Sequence, residues 1–244
     1  MSSGKGGVGK TNCVAYLAVY FASIYQKVLI LDADLGLCNI DVLLGIRHKY
    51  NIKHVLSGMK SLKDVILDGP MGIQIIPAGS GIKELTNVNS DERHKLISTI
   101  EQYDVPVDVV LIDTGAGVAD NVIFFCDCAQ ETIVVTTPEP TSVADAYALI
   151  KLLSMSKAER HISIIVNMAR SEQESRDTFR QIAHTVDLFL PVSVNYLEYL
   201  PIDPNVRVAI RAQKIFTSMF PNSSFSRRIA RIGDKILEQP LYVY

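Results

Sequence analysis

Gly4-Lys5-Gly6-Gly7-Val8-Gly9-Lys10-Thr11, followed by Asn12, fits the pattern G-x-x-x-x-G-K-[ST]. Such glycines let consecutive backbone N–H groups curl around an anion. The lysine that closes the pattern reaches β- and γ-phosphate oxygens, and the hydroxyl after it ligates Mg²⁺. Residues 4–12 are therefore expected to cradle a triphosphate, with Lys10 on the phosphates and Thr11 on the metal. A plain glycine-rich turn is the competing explanation. It is set aside because the match is complete and a helical pattern follows at once. Lys5 is left over, since two ammonium groups would crowd one γ-phosphate. Asp32 and Asp34, in "LILDADLGLCNIDVLLG", follow an apolar run, and Asp113 closes another in "VVLIDTGAG". Carboxylates at the C-terminal ends of strands stand where ligands bind in parallel sheets, and Asp113 is placed to hold a Mg²⁺ shell. Asp32 alone reads equally well as a turn-capping carboxylate. Asn167 ends "SIIVNMAR"; its amide both donates and accepts, as an adenine edge requires.

The elements that must carry these residues alternate along the chain. Strands are expected at Lys27–Leu31, Ile73–Ile76, Val107–Ile112, Thr132–Thr136, Ile162–Val166 and Pro191–Val194. Helices are expected at Thr11–Tyr25, Asp91–Gln102, Ala119–Cys128, Thr141–Met155, Glu172–Thr185 and Arg227–Leu237. Continuously apolar runs such as Val109-Val110-Leu111-Ile112 read as strands buried on both faces. The fold class is α/β: a doubly wound, mostly parallel sheet flanked by helices. One domain is expected over residues 1–244, ending in a basic amphipathic helix near residues 224–238.

With 244 residues, 48% of them hydrophobic, and a net charge of −2, the chain has material for one large core and is too apolar to be disordered. Near-neutrality gives no whole-molecule attraction to nucleic acid or anionic lipid, so such binding would need a local patch. The longest apolar stretch, Val14–Tyr25, is too short to span a bilayer, and the first residues lack a signal-peptide core, which implies a cytoplasmic protein. Cys13, Cys38, Cys126 and Cys128 read as buried free thiols.

The second lysine makes the loop resemble the deviant Walker A ATPases of the MinD/ParA family, whose signature is K-G-G-x-G-K-[ST]. That resemblance implies the P-loop NTPase fold of MinD (SIMIBI) type, slow Mg²⁺-dependent ATP hydrolysis and an ATP-bound homodimer. Lys5 would act in trans on the partner's phosphates, like an arginine finger. Asp34 would position the attacking water and join Thr11 and Asp113 at the Mg²⁺, with Lys5, Lys10 and Asp34 as the catalytic set, and Asp32 would support the switch loop. Pro201 and Asp203, in "YLPIDPNVRVA", would pack near the purine; a turn before the next helix explains them equally well. "DADLGLCNIDVLLGI", "VVLIDTGAGVADNVIFF" and "VVTTPEPTSVADAYALIK" resemble the family's flagellar-number regulators, the FlhG/FleN branch. The implied partners are an FlhF-type GTPase, flagellar switch (C-ring) proteins or a flagellar transcription activator.

Two departures qualify the resemblance. A P-loop normally follows a central apolar strand, and Met1-Ser2-Ser3 is not expected to form one. The central first strand therefore looks missing, and its neighbours would lose a ladder partner. A start upstream of Met1 is the expected explanation, with in-frame codons for an apolar run; a stop codon there would refute it. The segment that activates the GTPase in relatives is also not seen, so that activity is not carried over. At the other end, Phe225, Ile229, Ile232, Ile236 and Leu237 form a helical stripe ringed by Arg227, Arg228, Arg231 and Lys235. It is expected to pack on the domain, with a peripheral membrane anchor as the alternative. A second functional class, a ParA- or septum-site-type positioning ATPase on DNA or a membrane, has only the basic residues between Asn205 and Lys235 in its favour. Nucleic acid is not an expected partner, because no base-reading module is visible. An electron-transfer iron protein would need cluster thiolates, and Thr114-Gly115 stand after Asp113. A scaffold that binds without hydrolysing is the remaining alternative.

Overall fold

The computed structural model describes residues 1–34, 40–78, 90–103, 105–156 and 161–238. Its strands are β1 (Val28–Ala33), β2 (Leu67–Asp68), β3 (Gln74–Ile76), β4 (Val109–Thr114), β5 (Glu131–Thr136), β6 (His161–Ala169) and β7 (Val194–Pro201). Its helices are α1 (Lys10–Ser23), α2 (Ile40–Leu44), α3 (Ile52–Leu56), α4 (Ser90–Glu101), α5 (Asp120–Asp127), α6 (Pro140–Ser156), α7 (Glu172–Phe189), α8 (Pro204–Arg211), α9 (Phe216–Met219) and α10 (Ser224–Glu238). β1 runs parallel between β3 and β4, with Asp32 opposite Asp113, and short β2 pairs antiparallel with β3. β5, β6 and β7 make a second parallel ladder.

As expected, Met1–Ser3 forms no full strand and the β2–β3–β1–β4 and β5–β6–β7 ladders remain separate, but the expected complete loss of pairing between them is corrected. These residues lie extended between the C-terminal ends of β4 and β5 and bridge to both. Ser2 N donates to Ile133 O (2.9 Å) and Val135 N to Ser2 O (2.9 Å), while Thr114 N donates to Met1 O (3.2 Å) and Gly117 N to Ser3 O (2.8 Å). Ladder pairing uses backbone groups, so it does not require apolar side chains. Small serines, both fully buried, fit the tight slot. The stitch delivers the glycine loop to the end of the sheet where β1 and β4 present Asp32 and Asp113. Val110, at the other end of β4, is 47% exposed, so the expectation of burial on both faces fails there.

Successive strand residues face opposite layers. Ile30, Ile75 and Leu111 pack with Tyr16, Phe21, Phe216 and Phe225 on the α1/α10 side. Leu29, Leu31 and Ile76 pack with Leu96 of α4 and Phe125 of α5. Val134, Ile162 and Ile164 meet α6 and α7 through Leu149, Leu153, Ile182 and Val186.

The stripe on α10 is spent inside the protein. Phe225, Ile229 and Ile232 are buried, and the Phe225 ring lies 5.8 Å from Tyr16 and 5.0 Å from Phe216. Gly233 lets α10 close on α1, because a Cβ there would stand 2.2 Å from a Tyr20 ring carbon. Phe225 and Ile229 therefore present no free apolar face at the surface. Among the described residues, no helix is long and apolar enough to cross a membrane.

The strand expected at Pro191–Val194 lies instead at Val194–Pro201, where Asn195 and Glu198 interrupt the apolar run. The buried Glu198 carboxylate accepts from Arg228 Nη1 (2.7 Å), with Arg231 at 3.4 Å and Lys235 at 3.7 Å, and the Arg228 guanidinium lies 3.7 Å from the Tyr199 ring centroid. A buried ion pair adds little net stability, but removing one partner strands the other. Arg228→Ala should lower stability by about 3 kcal/mol, read as a shifted denaturant midpoint, whereas Arg231→Ala at the exposed end should cost under about 1 kcal/mol.

Cys13 and Cys126 are buried free thiols as expected, and burial first, then Asp113, pushes the Cys13 thiol up to about 12. Cys128 is exposed at the C-terminal cap of α5, correcting the expectation of burial. Cys38 lies outside the described residues.

Candidate functional site

Gly4 leaves the stitched segment pressed against α6: a Cβ there would stand 2.0 Å from Asp145 O and 2.2 Å from its carbonyl carbon. Gly9 takes φ +91° as the residue before α1, and a Cβ would meet Asn167 Nδ2 at 2.5 Å. Both positions admit glycine alone, one for space and one for space and backbone conformation. No side chain caps the α1 N-terminus. Its first N–H groups, with the positive end of the helix dipole, are left to an external acceptor.

Lys10 is buried, and so is Asp113. Asp113 hydrogen-bonds with Thr11, and its Oδ1 has no hydrogen-bond partner. Burial pushes the Asp113 carboxyl above its ordinary value, Lys10 and Thr11 draw it down, and nearby Asp34 raises it again. A buried carboxylate with an orphaned oxygen beside a hydroxyl and a second carboxylate fits a hard cation. Among the described residues no cluster of three or more His, Cys, Asp or Glu could hold a metal alone. Thr11 and Asp113 would therefore hold Mg²⁺ jointly with phosphate oxygens, as that ion prefers. Asp34 N donates to Asp32 Oδ1 (3.1 Å), so Asp32 acts as the turn-forming carboxylate that shapes the end of β1. Residues 35–39 lie outside the described residues.

Lys5 is turned away from the loop it belongs to. Its Nζ donates to Glu139 Oε2 (2.8 Å) and Thr141 Oγ1 (3.1 Å), at 39% side-chain exposure for Lys5 and 67% for Glu139. Ser3 Oγ donates to Lys5 O (2.9 Å) and fixes the backbone while the side chain stays near solvent. Glu139 and Thr141 were not anticipated from sequence. The available signal is a carboxylate and a hydroxyl at the start of the helix that follows β5.

Two clefts flank the loop. One, of about 720 Å³, is lined by Gly6, Lys10, Thr11, Asp34, Gly115 and Val42 among others. The other, of about 670 Å³, is lined by Gly9, Asn12, Asn167, Met168, Pro201 and Asp203 among others. Each lies within the range of small-molecule sites, and they share Gly7, Gly9, Asn12 and Ile210. Asn167 is buried: Nδ2 donates to Val8 O (2.7 Å) and Oδ1 accepts from Met168 N (2.9 Å). An amide has two donors and two acceptor sites, so one of each remains for a ligand. Asp203 caps α8 by accepting from Asn205 N (2.9 Å), and Pro204 opens that helix. Pro201 and Asp203 thus serve the turn and line the cleft at once. The arrangement joins an anion-binding helix end, a buried cation, a metal-ready carboxylate and a mixed polar–apolar pocket in one line.

Known proteins resemble this chain over nearly its whole length. The ParA family model, described as NUBPL iron-transfer P-loop NTPase, matches residues 1–237. The antiactivator FleN of Pseudomonas aeruginosa is 39% identical over 241 residues, covering 99% of this chain and 86% of that protein. The flagellum site-determining protein YlxH of Helicobacter pylori is 32% identical over 240 residues, covering 98% of this chain and 81% of its own. A solved structure of the septum site-determining protein MinD from Pyrococcus horikoshii OT3, complexed with Mg-ADP, superposes with a TM-score of 0.80 at 25% identity, covering 97% and 94% of the two chains.

Proposed function

The chain belongs to the ParA/MinD family of P-loop NTPases, with the α/β fold of MinD, and from that premise we propose that it is an ATP-driven dimerising switch that regulates flagellar number. The observation that carries this reading is the division of labour between the two lysines. Lys10 is buried in the loop, while Lys5 is half-exposed and held on Glu139. One cation serves the chain's own phosphates and the other is available to a second copy.

In this scheme the α1 N–H groups and Lys10 bind the phosphates, Thr11 and Asp113 hold Mg²⁺, and Asp34 orients the water for hydrolysis. Mg²⁺ held there would supply charge neutralisation. Lys5 leaves Glu139 and Thr141 to reach the partner's nucleotide. ATP then binds the dimer better than the monomer and shifts the population, and loss of the γ-phosphate releases it. The relatives' names support a flagellar output: the dimer would engage an FlhF-type GTPase, flagellar switch proteins or a transcription activator.

An ATPase assay tests the site. Lys10→Ala and Asp34→Ala should each reduce hydrolysis to background, and equal rates in all three proteins would contradict the assignment. The Lys5–Glu139 hold is weak, since exposed ion pairs contribute only a few tenths of a kcal/mol. Glu139→Gln should therefore tighten ATP-dependent self-association by only about two- to threefold, measured by sedimentation.

A further inference from the structure

Met168 directly follows Asn167 with φ +57°. A left-handed backbone strains a non-glycine residue, and such strain persists where the surroundings enforce it. Tyr25, Met71 and Gln213 also have positive φ, but Tyr25 and Gln213 follow α1 and α8, where a left-handed residue is an ordinary way to end a helix, and Met71 lies in the turn Pro70–Gly72. Met168 instead interrupts a strand. The β6–β7 register slips between Val166 and Ala169, and the Asn167 side chain fastens the kink by accepting from Met168 N. The kink turns the thioether out of the core, leaving Met168 44% exposed at the lip of the cleft that Asn167, Asn12 and Pro201 also line. Glycine would adopt this backbone without strain, and an exposed methionine adds nothing to the core.

We propose that Met168 is a base-contact residue whose strained backbone is kept because it lifts the thioether against the face of the purine. A polarisable sulfur on a flexible stem suits contact with an aromatic ring. The bulge would couple this contact to the phosphates, because the amide that holds Met168 N also donates to Val8 O in the glycine loop. The inference rests on the nucleotide reading given above and adds the residue that grips the base.

Isothermal titration with ATP and with inorganic tripolyphosphate, both with Mg²⁺, separates base from phosphate contacts. Wild type, Met168→Gly and Met168→Ala are compared, together with their unliganded melting temperatures. Both variants should bind ATP about tenfold more weakly and tripolyphosphate as wild type does. Unliganded Met168→Gly should melt no lower than wild type, because relief of strain offsets the added freedom of the unfolded chain. Unchanged ATP affinity overturns the inference. So does an equal loss for both ligands, which would make Met168 a support of the phosphate loop, or a lower melting point for Met168→Gly, which would make it a packing residue. If wild type binds neither ligand, the nucleotide reading itself fails; if it binds ATP and the variants match it, only the role of Met168 does.

Discussion

Lys5→Ala is expected to bind ATP as the wild-type chain does and to remain monomeric at concentrations where wild type pairs. The side chain contacts Glu139 and Thr141 in its own chain, not the glycine loop, so its removal leaves the in-chain phosphate site intact. What it takes away is one charge-assisted contact per subunit, hence two per symmetric dimer. At about 1.5–3 kcal/mol each, the dimer dissociation constant should rise by about 10²- to 10⁴-fold. Sedimentation with ATP and Mg²⁺, beside a fluorescent-nucleotide titration, checks both halves. Lost ATP affinity would place Lys5 in the site of its own chain. Dimers as stable as wild type would remove it from the interface.

Gly4→Ala should be the most damaging single methyl addition in the molecule's active region. The new carbon would stand 2.0 Å from Asp145 O and 2.2 Å from Asp145 C, both main-chain atoms of α6 that cannot rotate away. Overpacking against side chains typically costs 1–3 kcal/mol, and against a helix backbone the cost should exceed about 3 kcal/mol. The melting temperature should fall sharply, and nucleotide affinity should fall with it as the loop is pushed off α6. Trimming the neighbour with Asp145→Ala should not rescue the variant, because the closest atoms are backbone. Gly6→Ala, where a Cβ meets nothing within 4 Å, is the matched control and should leave stability near wild type.

The site was legible in the sequence where its chemistry is contiguous. Residues 4–12 and Asp113 were picked out by local pattern, and the structure lines one cleft with Lys10, Thr11 and Asp34 and sets Asp113 against Thr11. Parallel alternation was legible for the same reason, since β5 and β6 each carry a continuously apolar run, Ile133–Val135 and Ile164–Val166. Long-range pairings were not. The partners of Lys5 lie more than a hundred residues downstream, and nothing local at Glu139 announces a lysine. β7 was misplaced because Asn195 and a buried charge, Glu198, break the apolar run, and only the fold reveals that Arg228 neutralises the charge. The pairing of Met1–Ser3 escaped because backbone hydrogen bonds leave no mark on side-chain type. The left-handed turn at Met168 escaped because methionine gives no sign of positive φ.

The central claim is that a triphosphate joins two copies of this chain. Light scattering on the size-exclusion peak of Asp34→Ala, with hydrolysis blocked, measures it most directly. The mass should rise from the 27.0 kDa of one chain to about twice that when ATP and Mg²⁺ are added, and return on exchange into ADP. A mass that stays at 27.0 kDa under both conditions would contradict the account.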